Sequence, residues 1–160
     1  MEYRNDGVRR QDRLLDEGRA REILLGGEYG FLAMASPEGG YGIPVNYVVG
    51  GGDTVYIHCA PEGRKLRAIA SDCRVSFCVV GKTCPVPEKF TTAYESIVIE
   101  GRARVVVSDD ERRRALELLV EKYSPDYAAV GAAYIEKSFH RTAVIAIDAE
   151  RWSGKTKKEQ

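Results

Sequence analysis

The side chains with the clearest chemical potential lie close together, between Ile57 and Leu66. A strand-like run ends at His58, a Pro-Glu-Gly turn follows, and a helical pattern begins with Arg64 and Lys65. Helix N-termini favour acidic or hydroxyl side chains, because the free N–H groups and the dipole attract negative charge. A phosphate bound by both cations and by the first N–H groups would remove this conflict. Ordinary solvation of two surface cations is the alternative.

His58 is the candidate acid–base group of this stretch. A reference pKa of about 6.5 allows a histidine to deliver a proton near neutral pH. A structural histidine at the end of a strand is the equally simple alternative. The sequence has no G-x-S-x-G, no H-E-x-x-H and no P-loop, so it does not indicate a hydrolase or a P-loop nucleotide site.

Composition narrows the classes of partner. The chain has 24 Lys and Arg against 24 Asp and Glu, so its net charge predicts no nucleic-acid partner and no anionic membrane. Two histidines, and four cysteines without a C-x-x-C pair, predict no metal site and reduced thiols. No apolar stretch approaches the roughly 20 residues of a membrane span, and the N-terminus is polar. We therefore expect a soluble, cytoplasmic protein.

Hydrophobic periodicity predicts short strands with helices between them. Helices are expected over residues 12–25, 64–71, 109–123 and 127–139, and strands over residues 30–35, 41–49, 54–59, 74–80, 94–107 and 142–147. The first three strands should be joined by hairpins. Residues 81–92, with two prolines, are expected to form a long loop, and a charged tail should follow Trp152.

This order of elements has no βαβ alternation. It predicts an α+β, mainly β protein with a six-stranded antiparallel β-barrel and peripheral helices. At 160 residues the chain fits one domain over residues 1–160. Within it we expect an N-terminal helical arm over residues 1–27, a helical insertion over residues 108–140 and a C-terminal tail over residues 152–160.

The second predicted strand carries a proline that exposes part of its backbone. Pro44 lacks an N–H group, so it needs an edge or a bulge. Asn46 and Tyr47 follow at once and offer polar and aromatic contacts to a planar ligand, although an ordinary turn or edge role also suits Asn46.

Three segments carry a resemblance to a known family: GIPVNYVVGGGDTVYIHCAPEGRKLRAIASDCRVSF, YESIVIEGRARVV and RWSGK. Together they resemble the pyridoxamine 5'-phosphate oxidase-like flavoproteins with the FMN-binding split β-barrel fold, and most closely their 5-nitroimidazole-resistance (Nim) branch. The likeness extends from about Gly30 to Lys155. The pattern I-P-V-N-Y followed by E-G-R-K-L is its most specific part.

The resemblance implies a homodimer with FMN at each end of the subunit interface, and it implies a set of cofactor contacts. Ser96 matches a polar residue that the other subunit contributes. Trp152 matches a tryptophan near the flavin, with a barrel or interface plug as the alternative. The first flavin-contacting strand of the family matches Pro44, Val45, Asn46 and Tyr47. The next pair of flavin contacts matches Ile57 and His58, and the residues that hold the phosphate match Arg64 and Lys65. A less certain C-terminal lysine matches Lys155.

The implied function is an FMN-dependent oxidoreductase of the nitroreductase-like type, with NAD(P)H as electron donor and a small-molecule electron acceptor. The arginine and histidine pair that holds the substrate phosphate in true pyridoxamine phosphate oxidases is missing after Trp152. Vitamin B6 oxidation is therefore not expected. A non-catalytic flavin- or haem-binding module and a barrel without a cofactor are the alternatives.

Overall fold

The computed structural model describes residues 1–158, and these form one antiparallel sheet with four α-helices around it. The helices are α1 Glu17–Gly26, α2 Arg64–Ser71, α3 Asp109–Tyr123 and α4 Ala128–Ser138. The strands are β1 Glu2–Tyr3, β2 Gly30–Ser36, β3 Gly39–Val45, β4 Val48–Val49, β5 Thr54–Cys59, β6 Arg74–Val86, β7 Thr91–Val105 and β8 Ala143–Lys157. Every helix within residues 1–158 is too short or too polar to cross a bilayer.

The strands follow the order β3-β2-β6-β7-β8-β5-β4, and β1 pairs with β8 outside this path. All pairs are antiparallel except β1 with β8. The sheet is curved but leaves β3 and β4 unpaired with each other, as in a split barrel. The predicted α+β split-barrel class is therefore confirmed, with eight strands in place of six.

The strand count differs because one predicted strand is two strands. Residues 41–49 were predicted as continuous, whereas β3 ends at Val45 and β4 begins at Val48. The chain turns at Asn46 and Tyr47, where the Tyr47 backbone bonds to helix α3 instead of to a strand. The two-residue strand β1 adds the second extra element.

The predicted loop over residues 81–92 is wrong. Strand β6 continues to Val86, a 3-10 turn follows, and β7 begins at Thr91, so the two strands form a long hairpin. Beyond Cys78, β6 pairs with β7 only, because its ladder with β2 covers Val75 to Cys78. One edge of β6 is thus open at Pro85, where a missing N–H group costs little.

The last strand was also predicted too short. It was expected to end at Ile147 before a charged tail, but β8 runs to Lys157 because its second half pairs with β7. Charged residues and a bulge near Glu100 hide the alternation there. Residues 159–160 of the predicted tail lie outside the described residues. At the other end, α1 begins at Glu17, where Asp16 caps it, and residues 12–13 of its predicted span belong to a separate 3-10 turn, Gln11–Arg13.

Two clusters of buried side chains meet at β8. Ile145 and Ile147 face the barrel interior with residues from α1, β2, β6 and β7. Val144 and Ala146, on the opposite face, pack with Leu116 of α3 and other apolar residues of the helical pair. Successive side chains of a strand point to opposite faces, so β8 is buried on both sides here. The pair α3–α4 is thereby held against the outside of the barrel beside β5.

Candidate functional site

The break between β3 and β4 is held in place by Tyr47. Its side chain is fully buried and contacts the Phe77 ring edge to face at a centroid distance of 4.9 Å. Its hydroxyl donates to the carbonyl of Leu24 at the end of α1. Its backbone N–H donates to the Tyr123 hydroxyl at 3.0 Å, and its carbonyl accepts from Lys122 Nζ at 3.0 Å. Burial raises the pKa of Tyr47, so the side chain is an inner anchor that stays protonated.

A cleft of about 560 Å³, here called the His58 cleft, lies directly before this anchor. Its walls come from the end of β3, the end of β5, the start of α2 and the end of α4 with the turn that follows. The lining residues are Ile43, Pro44, Val45, His58, Cys59, Ala60, Lys65, Tyr134, Ser138, Arg141 and Thr142. Strand β3 ends the sheet order, so its outer backbone edge is available to a ligand.

His58 presents its side chain to this cleft from β5, where it pairs with Val144 of β8. Loss of hydration in the cleft lowers the pKa of His58, and the positive charge of Lys65 lowers it further. The imidazole is therefore mostly neutral at pH 7 and able to accept as well as donate hydrogen bonds. The preceding residue, Ile57, is fully buried, so only its backbone is left for a ligand.

The helix that begins at Arg64 has the unusual start that its sequence predicts. Gly63 precedes it at φ +147°, a backbone conformation suited to glycine, and no side chain caps the first turn. Lys65 points into the His58 cleft, whereas Arg64 lies outside its lining. The Arg64 guanidinium stacks over the Tyr41 ring at 4.2 Å, and its Nε is 3.3 Å from a carboxylate oxygen of Glu38.

The other predicted contacts lie elsewhere on the sheet. Ser96 pairs with Lys155 between β7 and β8, and Trp152 pairs with Ile99 nearby. None of these lines the His58 cleft. A rise of about 3.3 Å per residue puts Trp152 roughly 26 Å along β8 from Val144, the partner of His58. Asn46 is also directed away from the cleft, because its amide donates to the carbonyl of Glu28 at 2.9 Å.

Trp152 is buried more completely than its predicted role requires. It is 1% exposed and stands edge to face with Tyr3 of β1 at 4.8 Å. The Arg21 guanidinium lies 5.5 Å from the centre of its ring. Its indole Nε1 is buried without a hydrogen-bond partner among residues 1–158.

Sequence reasoning missed the wall that the helical insertion contributes. Tyr134 and Ser138 of α4, with Arg141 and Thr142 just beyond it, complete the His58 cleft. Arg141 adds a second cation beside Lys65. A basic residue two positions after the predicted helix was the available signal, but only tertiary packing shows that this helix reaches β5.

The comparison with protein families decides the affiliation. A family model described as pyridoxamine 5'-phosphate oxidase matches residues 16–156, nearly the whole chain. The chain belongs to the pyridoxamine 5'-phosphate oxidase family. No curated protein sequence matches it significantly.

Solved structures share the fold of this pyridoxamine 5'-phosphate oxidase family member. A putative 5-nitroimidazole antibiotic resistance protein from Bacteroides thetaiotaomicron has a TM-score of 0.71 at 22% identity, over 90% of this chain and 86% of that one. A conserved hypothetical protein from Mycobacterium tuberculosis has a TM-score of 0.78 at 18% identity, over 92% and 88%. An FAD and haem binding protein from Mycobacterium smegmatis has a TM-score of 0.76 at 20% identity, over 90% and 72%.

Proposed function

We propose that this protein binds FMN in the His58 cleft and acts as an oxidoreductase of the nitroimidazole-resistance, nitroreductase-like type. The observation that carries the proposal is the cleft itself. It brings together Pro44, Val45, His58 and Lys65, four residues that the sequence pattern assigns to flavin binding, although they come from three separate elements. The family affiliation supports the same assignment.

The residues present fit a flavin mononucleotide. A volume of about 560 Å³ lies within the range of roughly 300 to 1,000 Å³ that small-molecule sites occupy. Lys65 and Arg141 supply positive charge inside the cleft. The Arg64 guanidinium, at the same helix start, stacks on the Tyr41 ring and pairs with the exposed Glu38 carboxylate at 3.3 Å. It would exchange this carboxylate for a phosphate oxygen to join Lys65 and Arg141.

Each wall of the cleft has a part in this proposal. The exposed edge of Pro44 and Val45 would hold the rim of the isoalloxazine ring, and Lys65, Arg64 and Arg141 would hold the phosphate. When bound, the flavin supplies the electron and hydride transfer. His58 would deliver a proton to the reduced acceptor, because it is the imidazole that the cleft exposes. Burial and the charge of Lys65 lower its pKa, so this step would be favoured in acidic solution.

A homodimer would bring the predicted contacts that lie outside the His58 cleft, Ser96, Trp152 and Lys155, closer to those that line it. Phe31 on β2 and Val80 on β6 are 46% and 58% exposed, although both are large apolar residues of the sheet. Ser96 is the direct partner of Val80, so both side chains lie on this exposed face. A second copy packed here would bury the apolar residues and bring its own Ser96, Lys155 and Trp152 region towards the cofactor.

Vitamin B6 oxidation is not part of the proposal, because Ser153, Gly154, Lys155 and Thr156 follow Trp152 where the substrate-binding arginine and histidine would be expected. The donor would be NAD(P)H and the acceptor a small nitro compound or quinone. The Bacteroides relative, described as a putative 5-nitroimidazole resistance protein, supports this choice of acceptor.

A flavin- or haem-binding module without turnover is the second candidate. His58 and Cys59 both line the cleft, and histidine and cysteine are common ligands of haem iron. The Mycobacterium smegmatis protein of the same fold is described as binding FAD and haem.

The absorption spectrum of the purified protein tests both candidates. Flavin bands, together with a released ligand of the mass of FMN, are the expected result. A Soret band would favour the haem module, and a colourless protein that does not take up added FMN would remove both. Reduction of the bound flavin by NAD(P)H, followed by loss of a nitro chromophore, would establish the enzyme over the module.

A further inference from the structure

A second cleft lies at the far end of β8 and shares no lining residue with the His58 cleft. We call it the basic cleft. It has a volume of about 540 Å³ and is built by three segments that are distant in the sequence. They are the N-terminal 3-10 turn Gln11–Arg13, the hairpin end between β6 and β7, and the end of β8.

The charge of this cleft is strongly one-sided. Among residues 1–158, eleven residues line the cleft; five of these are lysine or arginine, and Asp12 is the single acidic residue. Both Asp12 carboxylate oxygens accept hydrogen bonds from Arg10, at 2.7 and 2.5 Å. Within the described part of the chain, the positive charge of Arg13, Lys89, Lys157 and Lys158 is therefore left without an equal negative charge in the lining.

Two of the cations, Arg13 and Lys157, are partly buried, whereas Lys89 and Lys158 are exposed. The Arg13 side chain is 25% exposed, and its Nε is 4.0 Å from the Asp12 carboxylate. Lys157 is directed to the Thr91 hydroxyl, which fixes its position at the cleft wall. Like charges that line one cleft repel one another, and a multivalent anion would reduce this repulsion.

The positive charge also affects the pKa of a neighbouring side chain, Tyr94. Burial alone would raise the pKa of the Tyr94 hydroxyl, yet hydrogen bonds and charge from Lys155 and Arg13 lower it overall. The chain as a whole has no net charge, so the field is a local property of this end of the sheet.

We propose that the basic cleft binds a small phosphate-bearing anion with two or more negative charges. Lys89, Lys157 and Arg13 would contact its oxygens with charge-assisted hydrogen bonds, and the hydroxyls of Thr91 and Thr156 would supply further donors. The size of the cleft suits one small ligand, such as a diphosphate or a phosphate ester. The absence of net positive charge argues against the extended backbone of a nucleic acid.

Calorimetric titration of the full-length protein with inorganic pyrophosphate tests this site. Pyrophosphate should bind at least about tenfold more tightly than orthophosphate, because the second phosphate group adds charge-assisted contacts. Citrate, which carries a similar charge on carboxylates, should bind more weakly than pyrophosphate. Equal affinity for citrate would overturn the assignment to phosphate chemistry. The variants that locate this binding change no lining residue of the His58 cleft, so their effect on pyrophosphate affinity stands or fails separately from the proposed function.

A matched pair of variants locates the binding. Lys89→Gln combined with Lys157→Gln should weaken pyrophosphate binding by about tenfold or more. Lys82→Gln combined with Lys137→Gln removes the same charge outside the cleft and should leave the affinity within about twofold. The single variant Lys89→Gln changes one exposed side chain and should show part of the loss with an unaltered melting temperature. Equal losses in the two double variants, or no measurable pyrophosphate binding, would overturn the proposal.

Discussion

Lys122 donates a hydrogen bond of 3.0 Å to the carbonyl oxygen of Tyr47, and this contact ties α3 to the break between β3 and β4. The Lys122 ammonium also lies 3.9 Å from the centre of the Tyr47 ring. Pro44 and Val45 enter the His58 cleft directly before this break, and α4 supplies its far wall. The helical insertion therefore positions the cleft from two sides.

The stability of the protein should depend on the titration of Lys122. Burial lowers the pKa of Lys122 to about 8, below the value of about 10.4 expected in the unfolded chain. Between these values the unfolded chain binds more protons, so the Lys122 contribution to the free energy of unfolding rises from about pH 8 to about pH 10. Urea unfolding should show a shallower rise for Lys122→Met than for the unaltered protein. Lys137→Met, on the exposed side of α4, should keep the full slope; identical slopes for all three proteins would refute the effect.

Removal of the two cations at the start of α2 should weaken FMN binding. Arg64→Ala combined with Lys65→Ala should cost roughly 3 to 6 kcal/mol, at about 1.5 to 3 kcal/mol for each charge-assisted contact. Fluorescence titration with FMN measures the change. Arg67→Ala is the matched control, because Arg67 is an exposed cation of the same helix. Unchanged affinity in the double variant would contradict the phosphate grip.

Single variants would separate the cations further. Arg141→Ala should weaken FMN binding by about tenfold if Arg141 shares the phosphate with Lys65. The single variant Arg64→Ala tests whether the Arg64 guanidinium gives up its contacts with Tyr41 and Glu38 and binds FMN instead. A loss for Lys65→Ala and Arg141→Ala, but none for Arg64→Ala, would assign the grip to the two cations that line the cleft.

His58 should control turnover and leave flavin affinity intact. Burial and the charge of Lys65 lower the pKa of His58 below its ordinary value, so the protonated form accumulates only in acidic solution. Proton delivery by His58 should make the rate of acceptor reduction increase as the pH falls into the acidic range. His58→Gln should remove this limb of the pH profile while the FMN dissociation constant stays within about twofold. A parallel loss of binding and rate would indicate a structural histidine.

The exposed face of β2 and β6 should be the dimer interface. Val80→Lys places a charge on this apolar face and should convert the dimer to a monomer in sedimentation velocity at micromolar concentration. FMN affinity should fall with it, because Ser96 and its strand partner Lys155 of the second copy would be lost. Val107→Lys is the control at another exposed valine, 92% exposed. A monomeric unaltered protein would exclude the interface, and a dimer that survives Val80→Lys would move it to another face.

Local sequence signals were enough to predict two of the helices and four of the residues that line the His58 cleft. Helix α2 spans Arg64–Ser71 as predicted, because the turn before it and its apolar stripe are local signals. Ser108 caps α3 as its sequence indicates, with its hydroxyl accepting from the Glu111 N–H. Pro44, Val45, His58 and Lys65 could be named in advance because they lie on two short patterns, I-P-V-N-Y and the stretch from His58 to Lys65.

The sequence by itself determined the elements whose signals are local: the helices, the alternating strands and the family pattern that names four residues of the cleft. The tertiary structure alone decided the length of the β6–β7 hairpin, the full extent of β8, the wall supplied by Tyr134 and Arg141, and the basic cleft. These features depend on pairing and packing between residues far apart in the chain. A one-dimensional pattern does not specify such contacts, because it records which side chains prefer burial but not which partners bury them.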